Sequence, residues 1–147
     1  MSETRAIAAG DRVGFIGLGN MGVPMALRLL AGGFVVVGYD QSPEVAGELD
    51  AVDNFVRAGT LEEACRGVRV VILMLPNSTI VASVLRVGSV FSAADRGTMI
   101  IDMSSSQPIS TVELSREAHA HGLRMIDAPV SGGVPAAKDG SLTVMVG

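Results

Sequence analysis

Apolar and polar stretches alternate along this chain with a regular beat. RVGFIG (12–17), FVVVGYD (34–40), VRVVILMLP (68–76), TMIID (98–102), LRMIDAP (123–129) and LTVMVG (142–147) are apolar runs that finish at or beside glycine, proline or aspartate. Runs that stay apolar, rather than alternating with polar residues, suit strands of a parallel sheet covered on both faces. The last run reads as a buried strand like the others. The segments between carry helix signals. Met21, Met25, Ala26, Leu29 and Leu30 recur at helical spacing, and Ala31-Gly32-Gly33 ends that helix. Thr60 and Glu63 have capping-box spacing and open a helix expected to bury Leu61, Ala64 and Cys65. Ile80, Val81, Val84 and Leu85 form one stripe. Pro108 and Gly122 frame a weaker one made of Thr111, Leu114, Ala118 and His121. This order predicts a doubly wound α/β domain with a mostly parallel sheet of about six or seven strands.

The first strand runs into VGFIGLGNMG, which sets Gly17, Gly19 and Gly22 in G-x-G-x-x-G register before a helix. In a Rossmann-type domain the first glycine makes the tight turn, the second lets a pyrophosphate approach the backbone, and the third lets helix and strand pack closely. Amides at the helix start then face the phosphates, aided by the helix dipole. Leu18, Asn20 and Met21 complete this candidate cofactor-binding loop. The second strand ends in Asp40, eighteen residues past Gly22, close to the roughly twenty expected for an acid that binds ribose hydroxyls. The competing reading is a structural turn followed by a strand-end aspartate. A carboxylate at position 40 repels a 2′-phosphate, and Gln41 supplies no cation to offset it. The pattern therefore favours NAD over NADP. Arg5 and Arg12 precede the first strand and are not expected to reach.

Ligands of such sheets sit beyond the carboxyl ends of the strands. Three further strand ends carry candidates. In MLPNS, Leu75 and Pro76 suit packing on a cofactor ring, or Pro76 is only a strand breaker and Asn77 or Ser78 a helix cap. In DMSSSQP, Ser104, Ser105 and Ser106 offer hydroxyls, or merely form loop and cap. In DAPVSGG, Ser131 supplies a hydroxyl, and Gly132 and Gly133 let successive amides point one way, a nest suited to a substrate carboxylate. Pro135 suits the start of a following helix.

Composition narrows the function classes. With 48% apolar and 18% charged residues, the 147-residue chain is globular, not disordered. A net charge of −4 gives no basic footprint, so no nucleic-acid partner is expected. The longest apolar run, Val70–Leu75, falls far short of the roughly twenty residues of a membrane span. The only cysteine, Cys65, excludes an internal disulfide, reads as a core residue and fits a reducing compartment. Residues 1–11 read as a loose leader without a signal peptide, 12–147 as the domain, and the protein as cytoplasmic. His119 and His121 read as surface residues, and no metal-ligand cluster stands out.

These stretches resemble a known family. FIGLGNMGVPMALRL, MLPNS, DMSS and DAPVSGGVPAAKDGSLTVMVG, in that order, are similar to the β-hydroxyacid dehydrogenases of the 3-hydroxyisobutyrate dehydrogenase and tartronate semialdehyde reductase type, over Val13–Gly147. Such enzymes transfer hydride between NAD(P) and short hydroxy acids or their semialdehydes. The resemblance implies that the Gly17–Gly22 loop holds the pyrophosphate and Asp40 the adenosine ribose. It implies that Leu75 and Pro76 lie near the nicotinamide, that Ser105 contacts the cofactor, and that Ser131, Gly132 and Gly133 hold the substrate carboxylate.

Two departures stand out. Ile80 replaces a residue that is often Asn or His in the family. The family's general-acid lysine, on a helix with a G-x-G-x-x-x-K-x-x-N pattern, has no counterpart, so no catalytic residue is assigned here. Lys138, the only lysine, lies in the variable part of VPAAKDGSL, before the turn at Gly140, and reads as a solvated side chain. The chain is thus expected to be a cofactor-binding half that stops before a helical, dimer-forming domain. Homo-oligomerisation is expected through that absent part, and an exposed apolar surface is expected where it would pack. The alternatives are a stand-alone nucleotide-binding module without turnover and an enzyme completed in trans.

Overall fold

The computed structural model describes residues 5–147, so the first four residues of the expected leader lie outside the described residues. Six strands form one parallel sheet: β1 (Arg12–Ile16), β2 (Val35–Tyr39), β3 (Phe55–Arg57), β4 (Val70–Leu73), β5 (Met99–Asp102) and β6 (Arg124–Asp127). Their order across the sheet is β3-β2-β1-β4-β5-β6, the order of a doubly wound dinucleotide-binding domain. The helices are α1 (Gly22–Ala31), α2 (Leu61–Cys65), α3 (Ser78–Arg86), α4 (Val90–Ala93), α5 (Pro108–Ala120) and α6 (Gly133–Asp139). Among the described residues no helix is long and apolar enough to cross a membrane.

The central strands β1 and β4 are almost wholly apolar because each feeds two cores. Val13 and Phe15 of β1 and Ile72 of β4 face a cluster with Met25, Ala26 and Leu30 of α1 and with Ala137 of α6. Ile16 of β1 and Val71 and Leu73 of β4 face the opposite cluster, with Ala64, Val81, Leu85, Leu114 and Ala118 of α2, α3 and α5. The two-residue period of a strand sends successive side chains to opposite faces, so both sets must be apolar. Cys65 is fully buried in the second cluster, and burial pushes its thiol up to about 12.

Asn77 caps α3, its side-chain oxygen accepting from the Ile80 amide at 3.0 Å. Thr60 caps α2, accepting from the Glu63 amide at 3.2 Å. The reciprocal half of that box differs from the expectation. The Glu63 carboxylate accepts from the Gly59 amide at 2.6 Å, one residue before the cap. From Arg5 on, the expected leader is held at the amino edge of the sheet. Arg5 pairs with Asp11, and Arg69 donates to the Arg5 carbonyl at 2.7 Å.

The sequence reading needs three corrections. The final run is not a buried strand of the main sheet. After the left-handed turn at Gly140 (φ +74°) the chain returns antiparallel. There β8 (Thr143–Val144) pairs with β7 (Val130–Ser131), and Gly147 donates to the Asp127 carbonyl at 2.9 Å. This pairing satisfies backbone groups but brings no described element over the strand, and residues 143–147 are exposed. The sixth sheet position goes to β3, a three-residue edge strand too short to stand out from its polar surroundings. Leu61 is half-buried instead of core, because it borders the crevice described below.

Gly14 fixes how closely α2 approaches the sheet, since a Cβ there would collide with the Ala64 carbonyl oxygen. Gly14→Ala is therefore expected to lower unfolding stability by about 1–3 kcal/mol. Urea denaturation followed by circular dichroism checks this, and an unchanged midpoint would refute the contact.

Candidate active site

Strand order reverses between β1 and β4. The connection after β1 passes to the α1 face and the one after β4 to the α3 face, so their carboxyl ends part and leave a crevice. Its cavity measures about 290 Å³. Gly17, Gly19, Asp40, Leu75 and Pro76 of the expected residues line it, joined by Gln41 and Ser42. Tyr39, Leu61, Ile80 and Val84 add an apolar side. The α3 stripe is thus divided: Val81 and Leu85 are fully buried in the core, while Ile80 and Val84 border the crevice.

The three loop glycines meet different constraints. Gly17 sits at φ +103°, a conformation that disfavours any side chain. A Cβ on Gly22 would collide with the Gly17 carbonyl oxygen, whereas one on Gly19 would meet nothing within 4 Å. So Gly17 turns the chain, Gly22 lets α1 begin against that turn, and Gly19 faces open space. No side chain caps the start of α1. Leu18 is 1% exposed, which leaves its backbone to serve the crevice. Its amide donates to Asp40 Oδ2 at 2.9 Å. The Ser42 amide donates to Asp40 Oδ1 at 2.9 Å. The carboxylate is thereby fixed at the end of β2, beside the glycine loop. Asn20 is exposed and Met21 half-buried.

The remaining candidates stand apart from this cavity. Ser105 is exposed in the connection after β5. Ser131, Gly132 and Gly133 are exposed beyond β6, with Gly132 at φ +127° and Gly133 at φ +67°. All occupy the carboxyl edge of the sheet, one and two strands beyond β4. Lys138 is exposed on α6. His119 is exposed, and His121 stacks on Phe91 with ring centroids 5.4 Å apart. No group of metal-ligating side chains occurs among the described residues.

The sequence reading missed Arg57, the last residue of β3. Its guanidinium donates to Asp50 Oδ1 at 2.8 Å and to the Val45 and Ala46 carbonyls at 3.1 Å each. The hydrogen bond to Asp50 raises its pKa most, and the charge of Asp40 adds to the effect. A cation therefore stands near Asp40 but is committed to other partners. Only recognition of the short strand β3 would have placed it there.

A larger hollow, about 1050 Å³, lies at the opposite, amino edge of β4–β6 and includes Arg69, Asp95, Thr98 and Arg124. Those side chains already bond to the chain itself. Thr98 donates to the Val68 carbonyl, Asp95 accepts from the Gly67 amide, and Arg124 donates to the Gly97 carbonyl. Size alone does not make it the site, because parallel sheets bind ligands at their carboxyl ends.

The glycine geometry separates folding from ligand contact. Gly22→Ala is expected to cost about 1–3 kcal/mol of stability. Gly19→Val should leave the unfolding free energy within about 0.5 kcal/mol of the parent. Thermal unfolding of both variants tests the contrast, and equal losses would overturn it.

The family described as the NAD binding domain of 6-phosphogluconate dehydrogenase matches residues 12–147. Mouse mitochondrial 3-hydroxyisobutyrate dehydrogenase is 39% identical over 145 residues, covering 98% of this chain and 43% of the mouse protein. 2-(Hydroxymethyl)glutarate dehydrogenase of Eubacterium barkeri is also 39% identical, over 92% of this chain and 45% of that protein. The solved structure of Mycobacterium tuberculosis 3-hydroxyisobutyrate dehydrogenase with L-serine superposes with a TM-score of 0.85 at 37% identity, over 94% of this chain and 46% of that one. The chain spans a little under half the length of these relatives. With the strand order, the glycine turn and these likenesses in agreement, the chain belongs to the β-hydroxyacid dehydrogenase family, of the 3-hydroxyisobutyrate dehydrogenase type, and corresponds to its NAD(P)-binding domain.

Proposed function

We propose that this chain is the cofactor-binding half of an oxidoreductase that transfers hydride between NAD and a small 3-hydroxy acid or its semialdehyde. The observation that carries the reading is Asp40, fixed by two amides at the rim of the crevice beside Gly19. A carboxylate held there accepts from ribose hydroxyls and repels a 2′-phosphate. Arg57, the cation near it, is engaged by Asp50 and two carbonyls, so it does not offset that repulsion. The cavity of about 290 Å³ is at the small end of ligand sites, about 300–1,000 Å³. It suits the adenosine end of a dinucleotide, its base against Leu61, Ile80 and Val84. Gly19 would take the pyrophosphate, and Leu75, Pro76 and Ser105 the nicotinamide end. Ile80 gives that wall an apolar contact in place of a polar one.

Once bound, the nicotinamide nucleotide supplies the hydride carrier. The chain's own part is to hold and orient it. Ser131, Gly132 and Gly133, exposed beyond β6, are the residues proposed to take the substrate carboxylate through a hydroxyl and two amides. Proton transfer at the carbonyl oxygen requires a donor within hydrogen-bond reach. Lys138 points to no such role, being exposed on α6, and the donor is assigned to a part of the enzyme beyond this chain. The same observation favours a second reading, a nucleotide-binding module without turnover.

Calorimetry with NADH, NADPH and the folded 147-residue protein tests the cofactor reading. NADH is expected to bind more tightly than NADPH, and Gly19→Val is expected to abolish binding of both by filling the space the phosphates need. Asp40→Ala should move the NADH/NADPH affinity ratio toward NADPH by roughly tenfold or more. Absence of nucleotide binding would sink the proposal, and an unchanged ratio would remove Asp40 from it.

Turnover separates the two functional readings. Given NADH and tartronate semialdehyde, the chain alone is expected to bind nucleotide without oxidising it. Appreciable oxidation would show that the proton donor lies within residues 1–147.

A further inference from the structure

The three serines after β5 are differently placed. Ser105 is exposed, but Ser104 is 1% exposed and Asp102, the last residue of β5, is 0% exposed. A carboxylate this deep survives only where hydrogen bonds replace water. Asp102 Oδ1 accepts from the Ser104 amide at 3.0 Å, and Oδ2 accepts from the Ser106 hydroxyl at 2.6 Å. Ser104 in turn reaches across to the neighbouring connection, its Oγ accepting from the Leu75 amide at 2.8 Å. Leu75 lies two residues past the end of β4, where the sheet ladder no longer supplies an acceptor, and it lines the crevice. One buried hydroxyl therefore holds the crevice wall after β4 to the serine connection after β5. The carboxylate beneath it sets where that hydroxyl lies.

We propose that Ser104, oriented by Asp102, is a positioning residue that holds the Leu75–Pro76 wall in its cofactor-competent form; this rests on the cofactor reading above. Without the hydroxyl, the Leu75 amide loses its acceptor and the turn samples other conformations. Ligand binding must then select the competent fraction, and apparent affinity falls in proportion to that fraction. The effect is greatest for ligands that reach Leu75 and Pro76. A ligand that fills only the adenosine end of the crevice meets less of that wall and is weakened less.

The test compares NADH with ADP, which carries only the adenosine end, by calorimetry on the 147-residue protein and its Ser104→Ala variant. Amide hydrogen exchange is followed at Leu75. Ser104→Ala is expected to weaken NADH about tenfold, leave ADP within twofold, and speed exchange at Leu75 while Ile72 in β4 stays protected. Asp102→Ala, which removes the acceptor of the Ser104 amide, should give the same split, and Ser106→Ala, on the half-buried side, a smaller one in the same direction. If Ser104→Ala does not fold, the NADH/ADP ratio of Ser106→Ala decides. Equal weakening of NADH and ADP would show a general structural role and overturn the proposal. So would unchanged binding with Leu75 still protected. Failure of the unmodified protein to bind either nucleotide would overturn the cofactor reading and this inference together.

Discussion

The crevice depends on a steric constraint: the third glycine of the loop must lie against the carbonyl of the first. Gly22 has no room for a Cβ beside Gly17. That contact seats α1 against the end of β1 and leaves its amino terminus without a side-chain cap. That turn, with Gly17 and Gly19, lines the crevice between β1 and β4. A larger residue at position 22 would push the helix away and alter the loop on which Leu18, Gly19 and the Asp40 carboxylate converge.

The rest of the sheet supports that point from two sides. Each central strand sends alternate side chains into separate cores, so the strand ends are held by helices on both faces. The polar groups at those ends are bonded to one another in sequence order. Gly17 donates to the Tyr39 carbonyl, Met103 to the Leu73 carbonyl, and Ala128 to the Asp102 carbonyl. Side chains add the ties of Asp40 to Leu18 and of Ser104 to Leu75. The carboxyl edge of the sheet is thus a connected polar seam above an apolar interior. At the other edge, the arginines bond mainly to chain carbonyls and to Asp11.

Only part of this surface resembles a finished binding site. The crevice is walled on the β1–β2 side and by α3, while Ser105 and Ser131–Gly133 lie exposed on the outer strands. The terminal ladder of β7 and β8 leaves Val144, Met145 and Val146 exposed at 44%, 51% and 68%. The chain spans under half the length of its relatives.

The sequence by itself determined the parallel α/β architecture. Continuous apolar runs require cover on both faces, and the glycine register after the first run together with the acid after the second place the loop and Asp40 at neighbouring strand ends. Tertiary structure decided what local pattern does not encode. LTVMVG is as apolar as a core strand, yet it folds back along residues 127–131 and from Thr143 on stays exposed, because burial depends on what packs above a strand. β3 is too short to announce itself, yet it completes the sheet edge and brings Arg57 near Asp40. Three adjacent serines look alike in sequence, but the pleat and turn after β5 bury Ser104 against Leu75 and turn Ser105 to solvent. A hydroxyl's role is set by the distant backbone group it meets, and that meeting exists only once β4 and β5 lie side by side.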